Sequence, residues 1–189
     1  MIFGITGGTG CGKTTALEAL HSLGGVCLDC DAIYHDLLKT DKALLAAIES
    51  RFPGVVKADA LDRKALGSRV FADPAALADL NTITHAAVKQ KVLELLPKDG
   101  TPAAIDAIGL FESGLDQLCG VTVGILAPKA DRLRRIMARD GIPEGYAQMR
   151  LDAQPEDGYF REKCDYILEN TGTEGEFRRK SLDFFRKFL

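Results

Sequence analysis

The sequence lacks the features that mark several classes of protein. Its formal net charge is −3, so it has no basic excess for binding nucleic acid. No apolar run approaches the roughly 20 residues that a membrane-spanning helix needs. The apolar residues 1–6 have no basic segment before them, and we therefore expect no secretory signal. We expect neither a nucleic-acid nor a membrane partner.

The cysteines do not indicate a disulfide framework or a zinc site. There are five, an odd number, and their spacing is irregular. Cys27 and Cys30 have the Cys-x-x-Cys spacing, but no second pair of ligands follows, and the pair crosses a predicted strand end instead of opening a helix. The cysteines are therefore predicted to be reduced thiols, and the protein to be cytoplasmic.

Short apolar runs alternate with helical patterns along most of the chain. Because strands that alternate with helices form parallel sheets, the sequence predicts an α/β fold with helices on both faces of the sheet. The predicted strands are 2–6, 26–28, 102–108, 121–126 and 166–168.

Residues 32–96 have a different character and are almost wholly helical in pattern. Asp62 is predicted to cap a helix that runs through Phe71, and Asp73-Pro74 is a cap followed by proline at the first helical position. A further helix is predicted from Thr84 to Leu96. The 189 residues are thus expected to form one domain with an inserted helical subdomain.

The segment Gly7–Thr14 matches the pattern G-x-x-x-x-G-K-[ST], directly after a predicted strand and before a predicted helix. Glycines let the backbone turn so that successive N–H groups point at a phosphate, and the helix N-terminus adds positive charge. Lys13 is expected to reach the β- and γ-phosphates of ATP, and the Thr14 hydroxyl to hold Mg²⁺. The predicted phosphate-binding residues are Gly8, Thr9, Gly10, Cys11, Gly12, Lys13, Thr14 and Thr15.

Cys11 lies inside this anion-binding loop, close to a helix N-terminus. Such positions lower the pKa of a thiol. We therefore expect a reactive Cys11 whose alkylation or oxidation blocks ATP binding.

Asp29 and Asp31 follow the second predicted strand. Ligands of parallel sheets bind at the carboxyl ends of the strands, where an aspartate can accept or orient the proton of an acceptor hydroxyl. Asp31 is the candidate for this role. Asp29 is a candidate for it too, or for capping the helix that follows.

Arginines are frequent in the helical stretch from Lys129 to Gln154. In phosphate-loop kinases, arginines that close over the nucleotide stabilise the charge on the transferring phosphoryl group. Arg139 is predicted to be catalytic and to contact ATP, and Arg150 to contact the substrate. The remaining arginines, 132, 134 and 135, are interpreted as a solvated surface.

Several segments together resemble the dephospho-coenzyme A kinase family, over nearly the whole chain. The opening from Gly4 to Thr14 resembles the start of that family, and Leu28–Asp31 resembles its Asp-x-Asp segment. The other similar segments, in chain order, are Leu61-Asp62-Arg63, Leu80-Asn81 with His85, Leu110-Phe111-Glu112, Arg139-Asp140, Arg150-Leu151 with Gln154, and Asp165-Tyr166-Ile167 with Asn170.

The resemblance implies transfer of the γ-phosphate of ATP to the ribose 3′-hydroxyl of dephospho-CoA, with Asp31 as the catalytic carboxylate. It implies a nucleotide-kinase architecture of the P-loop NTPase type. The nucleotide-binding core would comprise 1–31, 102–128 and 164–189, the helical substrate-binding subdomain 32–101, and an arginine-rich lid 129–156.

The resemblance also implies roles for single residues. Asn170 is expected near ATP, and His85 at the substrate or in helix packing. Glu112 is expected to orient the substrate or a Mg²⁺-bound water, or to cap the next helix. His35 stands where the family usually has arginine, so its contact with the substrate would be made by an imidazole instead of a guanidinium. The protein is expected to be a monomer or a weak homo-oligomer.

Two other functions remain open on the sequence. One is a different small-molecule kinase, such as one acting on shikimate, gluconate or a nucleoside monophosphate. Shikimate kinases have a Gly-Gly-Gly turn in mid-chain, whereas this chain has Leu110-Phe111-Glu112 there. The other is a regulator that hydrolyses or senses ATP. A GTPase is not indicated, because no Asn-Lys-x-Asp motif occurs.

Overall fold

The computed structural model describes all residues from Met1 to Leu189 and contains a five-stranded sheet. Strand β1 pairs in parallel with β5 and β6, and β6 pairs in parallel with β7. The spatial order is β2-β5-β1-β6-β7. The strands are β1 (Ile2–Thr6), β2 (Val26–Asp29), β5 (Ala103–Asp106), β6 (Val121–Leu126) and β7 (Tyr166–Glu169), with β3 (Val56–Lys57) and β4 (Ala60–Leu61) in a separate hairpin.

Nine α-helices connect or follow these strands. They are α1 (Lys13–Ser22), α2 (Cys30–Thr40), α3 (Lys42–Arg51), α4 (Arg63–Val70), α5 (Pro74–Leu95), α6 (Lys129–Asp140), α7 (Glu144–Asp152), α8 (Asp157–Lys163) and α9 (Glu174–Phe185), with one 3₁₀ turn at Asp116–Leu118. None of them combines the length and the apolar character that a membrane crossing requires.

The chain forms two compact units. The first comprises Met1–Leu28 and Pro97–Leu189, and the second comprises Asp29–Leu96. The first unit holds the phosphate-loop segment and the α6–α7 stretch, which was predicted to be a lid. The second unit holds helices α2 to α5 and the hairpin. Movement of the lid stays a prediction.

The first unit is built around β1. Phe3 and Ile5 are fully buried on the face of the sheet that α1 and α9 cover. The Phe3 ring packs edge-on against Phe185 of α9, with 5.0 Å between the ring centroids. On the opposite face, a Cβ added to Gly124 would lie 3.4 Å from Phe160 of α8. Helices therefore cover both faces, as predicted.

The second unit is organised around the long helix α5. Its buried residues recur every four positions and include Leu80, Val88 and Val92. Helices α2, α3 and α4 all contact this helix. Asp62 and Asp73 accept hydrogen bonds from the backbone at the starts of α4 and α5, as predicted.

Two predictions for this unit were wrong. Helix α5 begins at Pro74, so the helix predicted from Thr84 is the second half of a continuous 22-residue helix. The hairpin of β3 and β4 was missed. Its turn residues Ala58 and Asp59 have φ values of 49° and 60°, a conformation that glycine, asparagine and aspartate favour, so Ala58 gives no signal of this turn.

We predict that Phe185→Ala lowers the free energy of unfolding by ~3–5 kcal/mol, because a fully buried aromatic ring is lost and a cavity remains. Urea unfolding followed by circular dichroism measures this. Leu189→Ala, at a position with 53% exposure, is the control and should change stability by no more than ~0.5 kcal/mol. Equal losses for the two variants would contradict the described core.

Candidate active site

The phosphate loop connects β1 to α1 in the first unit. Gly12 ends the loop in the left-handed conformation, with φ of 102°, and no side chain caps the first turn of α1. No acidic residue lies in that turn either. The N-terminal backbone of α1 therefore keeps its positive electrostatic character, which suits an anion.

Lys13 and Thr14 occupy the first turn of α1. Lys13 is half-buried, and its Nζ donates a hydrogen bond to the carbonyl oxygen of Gly7 at 3.0 Å, so its ammonium lies back over the loop. Thr14 is exposed. The loop lies between a strand and a helix, as the pattern predicts. Contact of Lys13 with the phosphates and of Thr14 with Mg²⁺ stays a prediction.

Asn170, directly after β7, holds the loop from one side. The residue is 4% exposed, and its Nδ2 donates to the carbonyl oxygen of Cys11 at 2.9 Å. A Cβ on Gly12 would lie 2.3 Å from this nitrogen, so the close approach requires glycine. The Oδ1 atom of Asn170 is buried and accepts no hydrogen bond from the protein. Direct contact of Asn170 with ATP stays a prediction.

Gln154, just after α7, holds the loop from another side. Its Oε1 accepts a hydrogen bond from the backbone N–H of Thr9 at 2.8 Å, and its Nε2 donates to the Thr9 hydroxyl. The same Oε1 accepts from Nη2 of Arg132 at 2.9 Å, and Arg132 Nε donates to the carbonyl oxygen of Thr9 at 3.0 Å. We call Thr9, Arg132 and Gln154 the loop clamp.

The interpretation of three arginines as surface was therefore wrong for two of them. Arg132 is only 7% exposed. Arg135 is half-buried, and its Nη1 donates to the carbonyl oxygen of Gly10 at 3.1 Å. Only Arg134 is a solvated residue, paired with Asp131 one turn earlier. The sequence indicated a charged helical stretch, but it did not show which arginine side chains point toward the phosphate loop.

The two arginines predicted to act on phosphate or substrate are paired with one carboxylate. Asp140 accepts hydrogen bonds from Arg139 at 2.6 Å and from Arg150 at 2.6 Å. The hydrogen bond from Arg139, followed by that from Arg150, lowers the pKa of Asp140 to about 2. Asp140 is therefore ionised at neutral pH and holds both guanidinium groups on the α6–α7 segment.

Cys11 is buried instead of reactive. Its side chain is 1% exposed, and burial raises the pKa of the thiol, although Lys13 and Arg132 act in the opposite direction. The expectation of a lowered pKa was wrong because the loss of solvent outweighs the nearby positive charge.

Glu112 is exposed and has a defined partner. It accepts a hydrogen bond from the hydroxyl of Tyr159 at 2.5 Å, and the Tyr159 ring packs edge-on between Phe111 and Phe160. Burial, with this hydrogen bond as the next cause, raises the pKa of Tyr159 to about 12. The tyrosine therefore stays protonated and orients the carboxylate of Glu112.

Several of the residues predicted for the acceptor lie in the second unit. Asp29 is the N-cap of α2, where its Oδ1 accepts from the N–H of Ala32 at 3.0 Å, so of its two predicted roles the capping one is observed. Asp31 is exposed in the first turn of the same helix. His85 is half-buried on α5. The roles of Asp31 and His85 at the substrate stay predictions.

His35 is exposed and packs beside Tyr34, with 5.9 Å between the ring centroids. Both residues line a cavity of about 180 Å³ in the second unit. Apart from Arg63 and Gly67, its other lining residues are apolar: Leu38, Leu61, Leu66, Val70, Phe71 and Leu80. The contact of His35 with a substrate stays a prediction.

Comparison with known proteins assigns the family. The family model described as dephospho-CoA kinase matches residues 1–176. The chain belongs to the dephospho-CoA kinase family. A relative of that name from Anaeromyxobacter dehalogenans is 38% identical over 177 residues, covering 90% of this chain and 84% of the relative. A second relative of that name, from Salinibacter ruber, is 32% identical, and the match covers 96% of this chain and 94% of the relative.

Solved structures agree with this assignment. A dephospho-CoA kinase from Campylobacter jejuni superposes with a TM-score of 0.71 at 32% identity, covering 99% of this chain and 96% of that one. A shikimate kinase from Acinetobacter baumannii superposes with a TM-score of 0.52 at 18% identity, and the match covers 98% of this chain and 93% of that one. At this identity the likeness shows a shared fold alone. The predicted P-loop kinase fold is confirmed.

We predict that Gly8→Ala weakens MgATP binding about tenfold, which corresponds to ~1.4 kcal/mol. A Cβ at this position would lie 2.0 Å from Nη2 of Arg132 and 2.9 Å from Oε1 of Gln154, so the loop clamp must open. Titration calorimetry measures the affinity. Gly145→Ala is the control, because its Cβ would meet nothing within 4 Å. Unchanged affinity in Gly8→Ala would contradict the described loop contacts.

We also predict that iodoacetamide at pH 8 leaves Cys11 unmodified in the native protein. Burial excludes the reagent, and the raised pKa keeps the thiol protonated. Peptide mass spectrometry follows the modification, and the urea-unfolded protein is the positive control. Labelling of Cys11 at equal rates in both states would show that the loop opens freely.

Proposed function

We propose that this chain transfers the γ-phosphoryl group of ATP to the ribose 3′-hydroxyl of dephospho-CoA, giving coenzyme A and ADP. The observation that carries the proposal is a complete phosphate loop in a chain that matches the dephospho-CoA kinase family over residues 1–176. The acceptor named for the relatives supports dephospho-CoA over shikimate or gluconate. Kinases for those acceptors share only the fold with this chain, at 18% and 16% identity.

The phosphate loop binds and orients the nucleotide. Backbone N–H groups at the start of α1 surround the β-phosphate, and Lys13 exchanges the carbonyl oxygen of Gly7 for phosphate oxygens. Because phosphoryl transfer is largely dissociative, the protein contributes mainly by positioning and by stabilising charge. The proposed nucleotide-binding residues are those of residues 8–15, with Arg139 and Asn170.

Mg²⁺ is the proposed metal cofactor. Thr14 is exposed in the first turn of α1 and offers one hydroxyl oxygen, the ligand type that Mg²⁺ prefers. The structure contains no group of three His, Cys, Asp or Glu side chains that could hold a metal ion. The phosphates of ATP are therefore the other proposed ligands. When bound there, Mg²⁺ would supply positive charge beside the transferring phosphate.

Asp31 is the proposed base. Its carboxylate is exposed two residues after β2 ends and accepts or orients the proton of the 3′-hydroxyl. Asp29 is occupied by the backbone of α2, which supports Asp31 over Asp29. The proposed substrate-binding residues are Asp31, His35, His85, Glu112 and Arg150.

Arg139 is the proposed arginine for the transferring phosphate. Asp140 holds both Arg139 and Arg150. An arginine that turns to phosphate must leave this carboxylate, while the other can stay paired with it. Releasing Arg139 therefore costs less free energy, because the carboxylate of Asp140 stays paired with Arg150.

Further proposals concern the location, oligomeric state and partners of the protein. A cytoplasmic location is supported by five free cysteines and no disulfide. A monomer or weak homo-oligomer that works without nucleic acid or membrane is proposed as well, supported by the small net charge of −3.

The test is ADP formation with MgATP, with and without dephospho-CoA, together with the mass of the acceptor product. We predict ADP only when the acceptor is present, and a product heavier by one phosphate. Asp31→Asn should lower kcat by ~10²–10⁴-fold, because general-base catalysis contributes that much. Asp36→Asn, exposed on the same helix, is the matched control and should retain activity.

Each alternative has its own outcome in this assay. Equal ADP release without acceptor would indicate an ATP-hydrolysing regulator. ATP binding without turnover of dephospho-CoA would leave the kinase fold intact and contradict the acceptor. Normal turnover by Asp31→Asn would remove Asp31 from the mechanism.

A further inference from the structure

Arg132 is a buried cation without a close acidic partner. The residue is 7% exposed, and the one carboxylate paired with it, Asp157, lies 3.9 Å from Nη1 and is itself 48% exposed. Every other lid arginine that is ion-paired has an acid within 2.8 Å. A guanidinium removed from water normally gains a closer counter-charge.

The hydrogen-bond partners of Arg132 are neutral. Nε donates to the carbonyl oxygen of Thr9 at 3.0 Å, and Nη2 donates to Oε1 of Gln154 at 2.9 Å. These acceptors satisfy the directional needs of the two nitrogens but carry no negative charge, so only the carboxylate of Asp157, 3.9 Å away, partly compensates the guanidinium. The charge is therefore available to a ligand.

The guanidinium of Arg132 faces the wall of the phosphate loop. A Cβ on Gly8 would lie 2.0 Å from Nη2, and a Cβ on Gly10 would lie 3.1 Å from the Cα of Arg132. The helix that carries Arg132 thus packs directly against the first half of the loop, whose other side receives a polyphosphate in the proposed function. Opposite charges across one layer of backbone attract strongly, because little water screens them.

We propose that Arg132 is a positioning residue for ATP, with two effects. Its buried charge is the counter-charge for the polyphosphate through the loop wall, and its hydrogen bonds to Thr9 and Gln154 hold the loop ready before ATP arrives. The proposal rests on the proposed function in so far as it takes the loop as the ATP site. It assigns Arg132 no contact with the reacting atoms.

A merely structural role and this role predict different results. If Arg132 only supports the fold, replacing it lowers the melting temperature of the free protein and affects both substrates. If its charge serves ATP, neutralising it removes the cost of a desolvated cation from the free protein. This gain offsets the lost hydrogen bonds to Thr9 and Gln154, so the free protein keeps its melting temperature. The loss then appears in nucleotide binding alone.

The experiment compares Arg132→Gln and Arg132→Lys with the wild type in the full chain. The control is Arg134→Gln, on the same helix with a side chain 74% exposed. MgATP affinity is measured by calorimetry, KM for each substrate by ADP formation, and the melting temperature without ligand by calorimetric scanning.

For Arg132→Gln we expect MgATP binding weakened about tenfold or more, a KM for ATP raised to match, and an unchanged KM for dephospho-CoA. Arg132→Lys should recover part of the affinity because it keeps the charge, and Arg134→Gln should match the wild type. Wild-type affinity in Arg132→Gln would overturn the proposal. A lowered melting temperature with both KM values raised would also overturn it, as a structural role.

Asp157→Asn tests the proposal without altering the loop clamp. It removes the carboxylate that lies 3.9 Å from Arg132, so the guanidinium is left with no acid and MgATP binding should tighten. Unchanged or weaker binding would contradict the proposed role of the Arg132 charge.

The outcomes for the wild type separate this inference from the proposed function. A wild type that binds no MgATP contradicts the ATP site itself, whereas an active wild type with an equally active Arg132→Gln contradicts the role of Arg132 alone.

Discussion

Three consecutive carbonyl groups of the phosphate loop accept hydrogen bonds from side chains outside the loop. Arg132 binds the carbonyl oxygen of Thr9, Arg135 that of Gly10, and Asn170 that of Cys11. Carbonyl oxygens repel phosphate, so drawing them toward protein donors favours an anion on the other side of the loop. The contact of Asn170 also requires glycine at position 12, because a Cβ there would lie 2.3 Å from Nδ2 of Asn170.

The residues proposed for the two substrates come from both units of the chain. The first unit supplies the phosphate loop, the arginines of α6 and the clamp around Thr9. The second unit supplies the candidate base Asp31 and the apolar cavity beside His35.

Local patterns predicted the strands of the main sheet, the caps at Asp62 and Asp73, and the phosphate loop, because each depends on neighbouring residues. Contacts between distant residues were not predictable. Arg132 meets Thr9 across 123 positions, and its helical period alone does not distinguish it from Arg134. The pKa of Cys11 was predicted in the wrong direction, since the charges near a loop are visible in sequence while its burial is not. The hairpin at 56–61 has no glycine or asparagine at its turn.

We propose that the side chains around the loop hold it ready for phosphate before ATP binds. A crystal structure of the complex with MgADP tests it most directly. We predict the β-phosphate within hydrogen-bonding distance of the backbone N–H groups at the start of α1, with Lys13 turned from Gly7 to phosphate. The hydrogen bonds of the Thr9, Gly10 and Cys11 carbonyls should be unchanged. Phosphates bound elsewhere, or a loop that exchanges these carbonyl partners on binding, would contradict the account.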